Sequence, residues 1–350
     1  MNFDLTEDRQ MLQDSLRRNL GDKYQIDHRN KVAYAEPFHD PAKWGELTEL
    51  GALFALAPEA AGGMGGAGFD ISVVFEELGR VLCPEPVLGA LMASRLMTAA
   101  GADQEALLSG ETRYAVGLGE LDAPYDLDNI TTSVSDGKIS GRKSLVYGGQ
   151  AADVFLVAAK DGGSLAIYEV AASDASVTGY AMMDGAGAAE VVFENAPAKL
   201  VLADAGAAIE DAVNAGIVAL CSEAVGAMDV LHKMTVEYLG QRKQFGRPIG
   251  TFQVLQHRAV DMLTEIEQSR SIVIKAAAEL GGPQASRYAS MAKNLIGRAG
   301  RLVAEEAIQM HGGIAMTWEY PGSHYAKRII MIDAQLGDTD YHLMRVAQAA

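Results

Sequence analysis

Cysteine is nearly absent from this 350-residue sequence, with Cys83 and Cys221 the only two. They build no disulfide framework and read as buried, inert thiols of a reducing compartment. Positive charge is also scarce: 29 Lys and Arg stand against 46 Asp and Glu, a formal net charge of −17. No basic run interrupts that excess, which repels phosphate backbones and anionic lipid at long range. Nucleic-acid and membrane binding are therefore not expected. No uncharged apolar run approaches the roughly 20 residues that span a bilayer. The opening Met1-Asn2-Phe3-Asp4-Leu5 lacks the basic-then-apolar order of a targeting peptide. A cytoplasmic protein is expected.

Several chemistries lack their motifs. The seven histidines are scattered, with no His-Glu-x-x-His or Cys-x-x-Cys, so no metal site is expected. No Gly-x-Ser-x-Gly elbow marks a nucleophile. The run Gly62-Gly63-Met64-Gly65-Gly66-Ala67-Gly68 has no Gly-Lys-Ser/Thr ending and follows no strand. It reads as a mobile loop between helices. With 37 glycines, matches to Gly-x-Gly-x-x-Gly arise by composition, and no βαβ unit surrounds one.

What is present is an ordinary globular balance, 49% hydrophobic and 21% charged, with length enough for two or three domains. Residues 1–110 read as helical. Thr6 is placed to cap the first helix, Leu12, Leu16 and Leu20 form its apolar stripe, and a second helix runs over Pro41–Leu50. Residues 111–200 change period. Asp136-Gly137 and Asp161-Gly162-Gly163 each separate two apolar-alternating runs, the signal of β-hairpins, and Glu190–Glu194 is a further strand. A small antiparallel barrel or sandwich is expected. Residues 201–350 return to long helices, the first over Ala207–Gly240. Thr251 is placed to cap the next, which carries Phe252, Leu255, Ala259, Met262 and Ile266 inward. A third presents Tyr288, Met291, Leu295, Ala299 and Leu302 and stops at Gly312-Gly313. A last short helix follows Thr339. Helices, strands, then helices define an α+β chain.

Two polar clusters admit two readings each. Asp338 and Asp340 are a carboxylate pair for acid–base chemistry, or the acidic start of the last helix. Gln241-Arg242-Lys243-Gln244-Phe245-Gly246-Arg247-Pro248 sets three cations and a ring at a helix end. It suits a pyrophosphate beside a flat cofactor, or basic residues answering the helix dipole.

The stretches Tyr238–Gln253 and Gln309-Met310-His311-Gly312-Gly313-Ile314-Ala315-Met316-Thr317-Trp318-Glu319 resemble signatures of the acyl-CoA dehydrogenase family. Leu5–Leu12, Pro58-Glu59, Glu76–Arg80, and Ser140–Lys143 with Ala152-Asp153 resemble its earlier segments in the same order. The resemblance implies an N-terminal helical domain, a middle antiparallel β-barrel domain and a C-terminal four-helix bundle. It also implies FAD, an acyl-CoA thioester substrate, α,β-dehydrogenation, and an electron-transfer flavoprotein as acceptor. In this family each FAD site is shared by two subunits. The residues that reach the neighbour's FAD match here: Arg242 at the pyrophosphate, Phe245 near the ring system, Gln309, Gly312 and Gly313 at the adenosine end, and Gln253 close by.

The departures concern the chain's own site. The family's glutamate base falls here on Leu336, and its alternative place, near Ala215-Gly216-Ile217, has no carboxylate. Asp338 stands where a neutral Thr is usual, and Tyr114–Glu120 has lost the usual Thr-Glu-Pro…Gly-Ser-Asp pattern. Some bacterial members, including those acting on steroid side chains, pair a base-bearing chain with one that completes its cofactor site. The sequence is similar to that second kind. The competing expectations are a self-sufficient homo-oligomer using Asp338, or Asp340, as base, and a non-redox binding or assembly protein on the same fold.

Overall fold

The computed structural model describes residues 5–348, so the opening tetrapeptide lies outside the described residues. Helices α1 (Glu7–Lys23), α2 (Ile26–Ala33), α3 (Pro41–Glu49), α4 (Gly68–Arg80), α5 (Val87–Ala100) and α6 (Glu105–Leu108) come first. Thr6 occupies the N-cap of α1 but its side chain makes no cap bond. Glu7 and Asp8 fill the first turn, favoured by the helix dipole. Asp40 caps α3 through Ala42 and Lys43 N–H, with Pro41 at the first turn.

The glycine run is not a slack connector. Met64 and Gly66 N–H donate to the Phe54 and Ala55 carbonyls, and Gly63 and Gly65 N–H to those of Pro58 and Ala57. A Cβ at Gly63 would sit 2.1 Å from the Ala57 oxygen. The glycines permit backbone contact, and the run lies pinned against residues 54–58.

The middle of the chain forms β1 (Tyr114–Gly117), β2 (Ser133–Ser135), β3 (Lys138–Tyr147), β4 (Val154–Asp161), β5 (Ser164–Ala171), β6 (Ser176–Ala181), β7 (Gly187–Pro197) and β8 (Lys199–Leu202). Both expected hairpins are there: Ser135 pairs with Lys138, and Asp161 with Ser164. Positive φ at Asp136, Gly137, Gly162 and Gly163 supplies the turn geometry that matches strand twist. The path is β6-β7-β3-β2-β4-β5-β8. The expected antiparallel pattern needs one correction. β1 runs parallel to β4, and β2 touches β4 through one parallel pair. β1 is joined to β4 through β2 and β3 rather than by a tight turn, which frees it to pair in parallel. Phe155 and Phe193 meet edge to face at 6.2 Å in the sheet's core, among Ile139, Val157, Tyr168 and Val191.

The C-terminal helices are α7 (Gly206–Gln241), α8 (Gln253–Glu279), α9 (Ala285–His311), α10 (Pro321–Ala334) and α11 (Thr339–Gln348). By length and hydropathy α7 qualifies to cross a membrane, but its most apolar window is 83% buried, as in a core helix. The buried face of α9 is not the row of large residues. It is Ala289, Ala292, Ile296, Ala299, Val303, Ala304 and Ala307, while Leu302 is 37% exposed. Small side chains allow α9 to pack against α8, α10 and α11. Thr251 does not cap α8. Its hydroxyl donates to the Pro248 carbonyl, closing a short turn, and Phe252 takes the N-cap. Arg328 of α10 pairs with Glu223 of α7, and Arg270 of α8 with Asp229 of α7.

Two compact units result. One takes in the described residues up to Arg29, Ile71–Cys83 and those from Ile217 onward; the other is Asn30–Asp70 and Pro84–Gly216. The first holds α8 to α11, and the second holds the β1–β8 sheet.

Candidate functional site

The polar stretch after α7 is a small hairpin. β9 (Lys243–Gln244) pairs antiparallel with β10 (Arg247–Pro248), Gln244 opposite Arg247. Phe245 and Gly246, at φ 52 and 79, make the two-residue turn. This places Phe245 at the tip, 91% exposed. Its ring meets Phe252 edge to face at 6.0 Å, and the Arg247 guanidinium lies 4.4 Å from the Phe252 ring centre. At the hairpin base, Arg242 N–H donates to the Tyr238 carbonyl and Arg242 O accepts from Ile249 N–H, each at 2.8 Å. The backbone of Arg242 is thus fixed while its side chain remains exposed.

Across from it, α9 ends at Gly312, φ 68, and runs into a short turn over Gly312–Met316. A cavity of about 570 Å³ opens between the two ends, lined by Arg242, Gln309, Gly312 and Gly313 among others. Four of the six residues expected at a cofactor are thereby brought together. Phe245 stands outside the cavity at the hairpin tip. Gln253 opens α8 as an exposed residue beyond the lining. A guanidinium, an amide and glycine backbone around an open cavity, with a bare aromatic ring beside it, suit a ligand carrying a diphosphate and flat rings.

His311 was not singled out from the sequence, although it stands inside the Gln309–Gly313 motif. It is 4% exposed. Its ring lies between those of Tyr238 and Tyr320, at centroid distances of 4.7 and 4.9 Å. Nδ1 faces the Ala307 carbonyl at 2.7 Å and donates to it, so Nε2 accepts from the Tyr320 hydroxyl at 2.6 Å. Burial lowers its pKa, against the Ala307 and Met234 carbonyls that raise it.

The turn between α10 and α11 is the second notable place. Leu336 is half-buried and left-handed, φ 54. The surroundings hold that strained backbone. His342 Nε2 donates to the Leu336 carbonyl at 2.9 Å, and Lys293 Nζ donates to Asp333 O and Gly337 O at 2.8 and 2.6 Å. Arg328 donates to the Gln335 side chain, and Thr339 N–H and hydroxyl donate to Asp333. Burial pushes His342 down to about 4 and also lowers Lys293. Buried Lys293 gave no sequence signal, because a lysine between Met291 and Leu295 of the expected stripe reads as exposed. Asp338 is exposed and accepts from Tyr341 N–H at 2.8 Å, at the start of α11. Asp340 lies exposed in the first turn of α11. Ala215, Gly216 and Ile217 are buried within α7.

In the other unit, the segment after β1 carries a buried ion pair. Glu120 accepts from Thr131 and Thr132, through N–H and hydroxyl of each, and from Lys143 Nζ at 3.0 Å. Burial alone raises the Glu120 pKa, but the Thr132 and Thr131 bonds outweigh it and hold the carboxyl at about 2. Burial brings Lys143 down to about 8 against the attraction of Glu120. Cys221 is fully buried, its thiol pushed up to about 12. Cys83 is half-buried. Among the described residues no cluster of His, Cys, Asp or Glu is placed to hold a metal ion.

Helical segments on either side of a β-sheet segment in the chain, and a cavity suited to a diphosphate, define the class to look for, and comparison with known proteins identifies the family. Residues 6–105 match the acyl-CoA dehydrogenase N-terminal domain, and residues 206–350 match the C-terminal domain. The chain is 31% identical over 330 residues to acyl-CoA dehydrogenase IpdE2 of Mycolicibacterium smegmatis, covering 93% of each. Among solved structures, a variant of the Tcur3481-Tcur3483 steroid ACAD superimposes with a TM-score of 0.90 at 26% identity, covering 98% of this chain and 97% of that one. The ChsE4-ChsE5 complex of Mycobacterium tuberculosis shares the fold, with a TM-score of 0.91 at 23% identity over 99% of this chain and 98% of that one. The chain belongs to the acyl-CoA dehydrogenase family.

Proposed function

We propose that this chain is a subunit of an FAD-dependent acyl-CoA dehydrogenase that lacks its own catalytic base and completes the FAD site of a second dehydrogenase-like chain. The observation that carries the reading is Leu336. An alkyl side chain stands where the family places its carboxylate, on a turn whose Leu336 and Gly337 carbonyls are held by His342 and Lys293. No proton can be taken from a substrate by that side chain. The exposed Phe245 and Arg242 support the other half of the proposal, since residues that act on a neighbour's ligand stand unburied on their own chain.

The residues fit FAD. Arg242 would pair with the pyrophosphate, Phe245 would lie by the ring system, and Gln309, Gly312, Gly313 and Gln253 would meet the rest of the dinucleotide. FAD supplies the two-electron acceptor for α,β-dehydrogenation. The substrate is an acyl-CoA thioester, and an electron-transfer flavoprotein is the acceptor. A ring-bearing acyl group is favoured by the likeness to the Tcur3481-Tcur3483 steroid ACAD.

A self-sufficient enzyme based on Asp338 is the second reading. It is opposed by the geometry, because that carboxylate is exposed and engaged with the N-terminus of α11. The test is the flavin-to-chain ratio and acyl-CoA turnover of the chain purified alone and with a base-bearing partner. Little flavin and no turnover alone, with both restored in the complex, is expected. One flavin per chain with full turnover alone refutes the proposal. Absence of flavin with every partner tried makes the chain a non-redox assembly protein.

A further inference from the structure

We infer that His311 is a positioning residue for the dinucleotide, locking the two walls of the 570 Å³ cavity at one spacing; this rests on the reading of that cavity as an FAD site. One wall is the end of α7, which carries Arg242. The other is the end of α9, which carries Gln309, Gly312 and Gly313. His311 belongs to the second wall by sequence and packs against the first through the Tyr238 ring. Its Nδ1–H returns to Ala307 one turn back in α9, which orients the ring. One face of the ring packs on Tyr238, whose own carbonyl accepts the Arg242 N–H. The chain of contact from the imidazole to the Arg242 backbone thus passes through a single residue.

Tyr320 completes the lock. Its hydroxyl donates to His311 Nε2 at 2.6 Å, and its ring lies tilted against the imidazole with centroids 4.9 Å apart. Both ring nitrogens are then satisfied in one tautomer, so the ring has one low-energy orientation. A bidentate guanidinium contact is sensitive to displacement, and a shift of α7 against α9 would part Arg242 from the glycine backbone. A phenylalanine at 311 would fill the same space and provide none of the orienting bonds.

The experiment uses the complex of this chain with its base-bearing partner and reads the rate of FAD release, alongside thermal stability of the chain alone. Tyr320→Phe keeps the ring and removes the hydroxyl, and His311→Phe removes both bonds. About a fivefold faster release is expected for the first, on the scale of one hydrogen bond, and a larger increase for the second. The double variant should release FAD no faster than His311→Phe alone. The same changes made in an Arg242→Lys background separate positioning from general support. If His311 acts by placing Arg242, its effect shrinks there; a purely structural histidine gives additive losses and overturns the inference. Unchanged release in His311→Phe also overturns it. A wild-type complex that holds no FAD instead defeats the underlying reading, so the two failures are distinct.

Discussion

Replacing Arg242 with Ala isolates a ligand contact from a folding contact. The Arg242 side chain is exposed and lies at the rim of the cavity, while its backbone N–H and carbonyl are already held by Tyr238 and Ile249. Truncation past Cβ leaves both backbone bonds in place. The chain alone should therefore change in stability by no more than about 0.5 kcal/mol, the usual scale for a surface substitution. The loss falls on the diphosphate. Hydrogen bonds to a charged group contribute about 1.5–3 kcal/mol, so FAD should be held about 10- to 100-fold more weakly by the complex. Arg242→Lys keeps the charge without the fork and should fall between. The assay is flavin fluorescence on release from the complex at fixed salt, with a melting curve of the chain alone as control. Retention within threefold of wild type would refute the assignment of Arg242 to the diphosphate. A large loss of stability in the chain alone would refute the claim that its side chain is free of folding work.

Phe245→Ala should likewise leave the chain's melting temperature unchanged, because the ring is 91% exposed, and should weaken FAD retention in the complex. Asp338→Asn should leave acyl-CoA turnover by the complex unchanged and preserve the start of α11, since Asn caps about as well as Asp; loss of turnover would restore Asp338 as the base. Glu120→Gln strips the buried Lys143 of its counter-charge and should cost about 3–5 kcal/mol in urea unfolding. Lys143→Met should cost less, because Glu120 keeps four donors from Thr131 and Thr132. With the Glu120 carboxyl at about 2 in the fold against an ordinary 4.5, its stabilisation is present above the ordinary value. That stabilisation drains away as pH falls from 4.5 through 2, and Glu120→Gln should flatten the acid limb of the stability curve.

The order helix, sheet, helix and both hairpins were legible in the sequence, since period and turn chemistry are local properties. Asp136-Gly137 and Gly162-Gly163 adopt positive φ because few other pairs do so cheaply. The motif residues Arg242, Gln309, Gly312 and Gly313 were singled out by their pattern, and the fold sets the four around one cavity. What local pattern did not contain is contact. The glycine run at 62–68 read as loose and is pinned, because its partner carbonyls lie at residues 54–58 and enter through the fold. The buried face of α9 was displaced from its largest residues, because close helix packing selects Ala over Leu.

That Leu336 takes the place of a carboxylate is an expectation from sequence and part of the proposal. Only the tertiary structure decided that Lys293 and His342, from two other positions in the chain, hold the turn that bears it in a left-handed backbone. His311 likewise lay in plain view within a motif, but its role depends on Tyr238 and Tyr320, which share no period with it. Residue type set which chemistries each position could carry. Distance and burial, which arise when separate helices meet, decided which of those residues are held and which stand exposed.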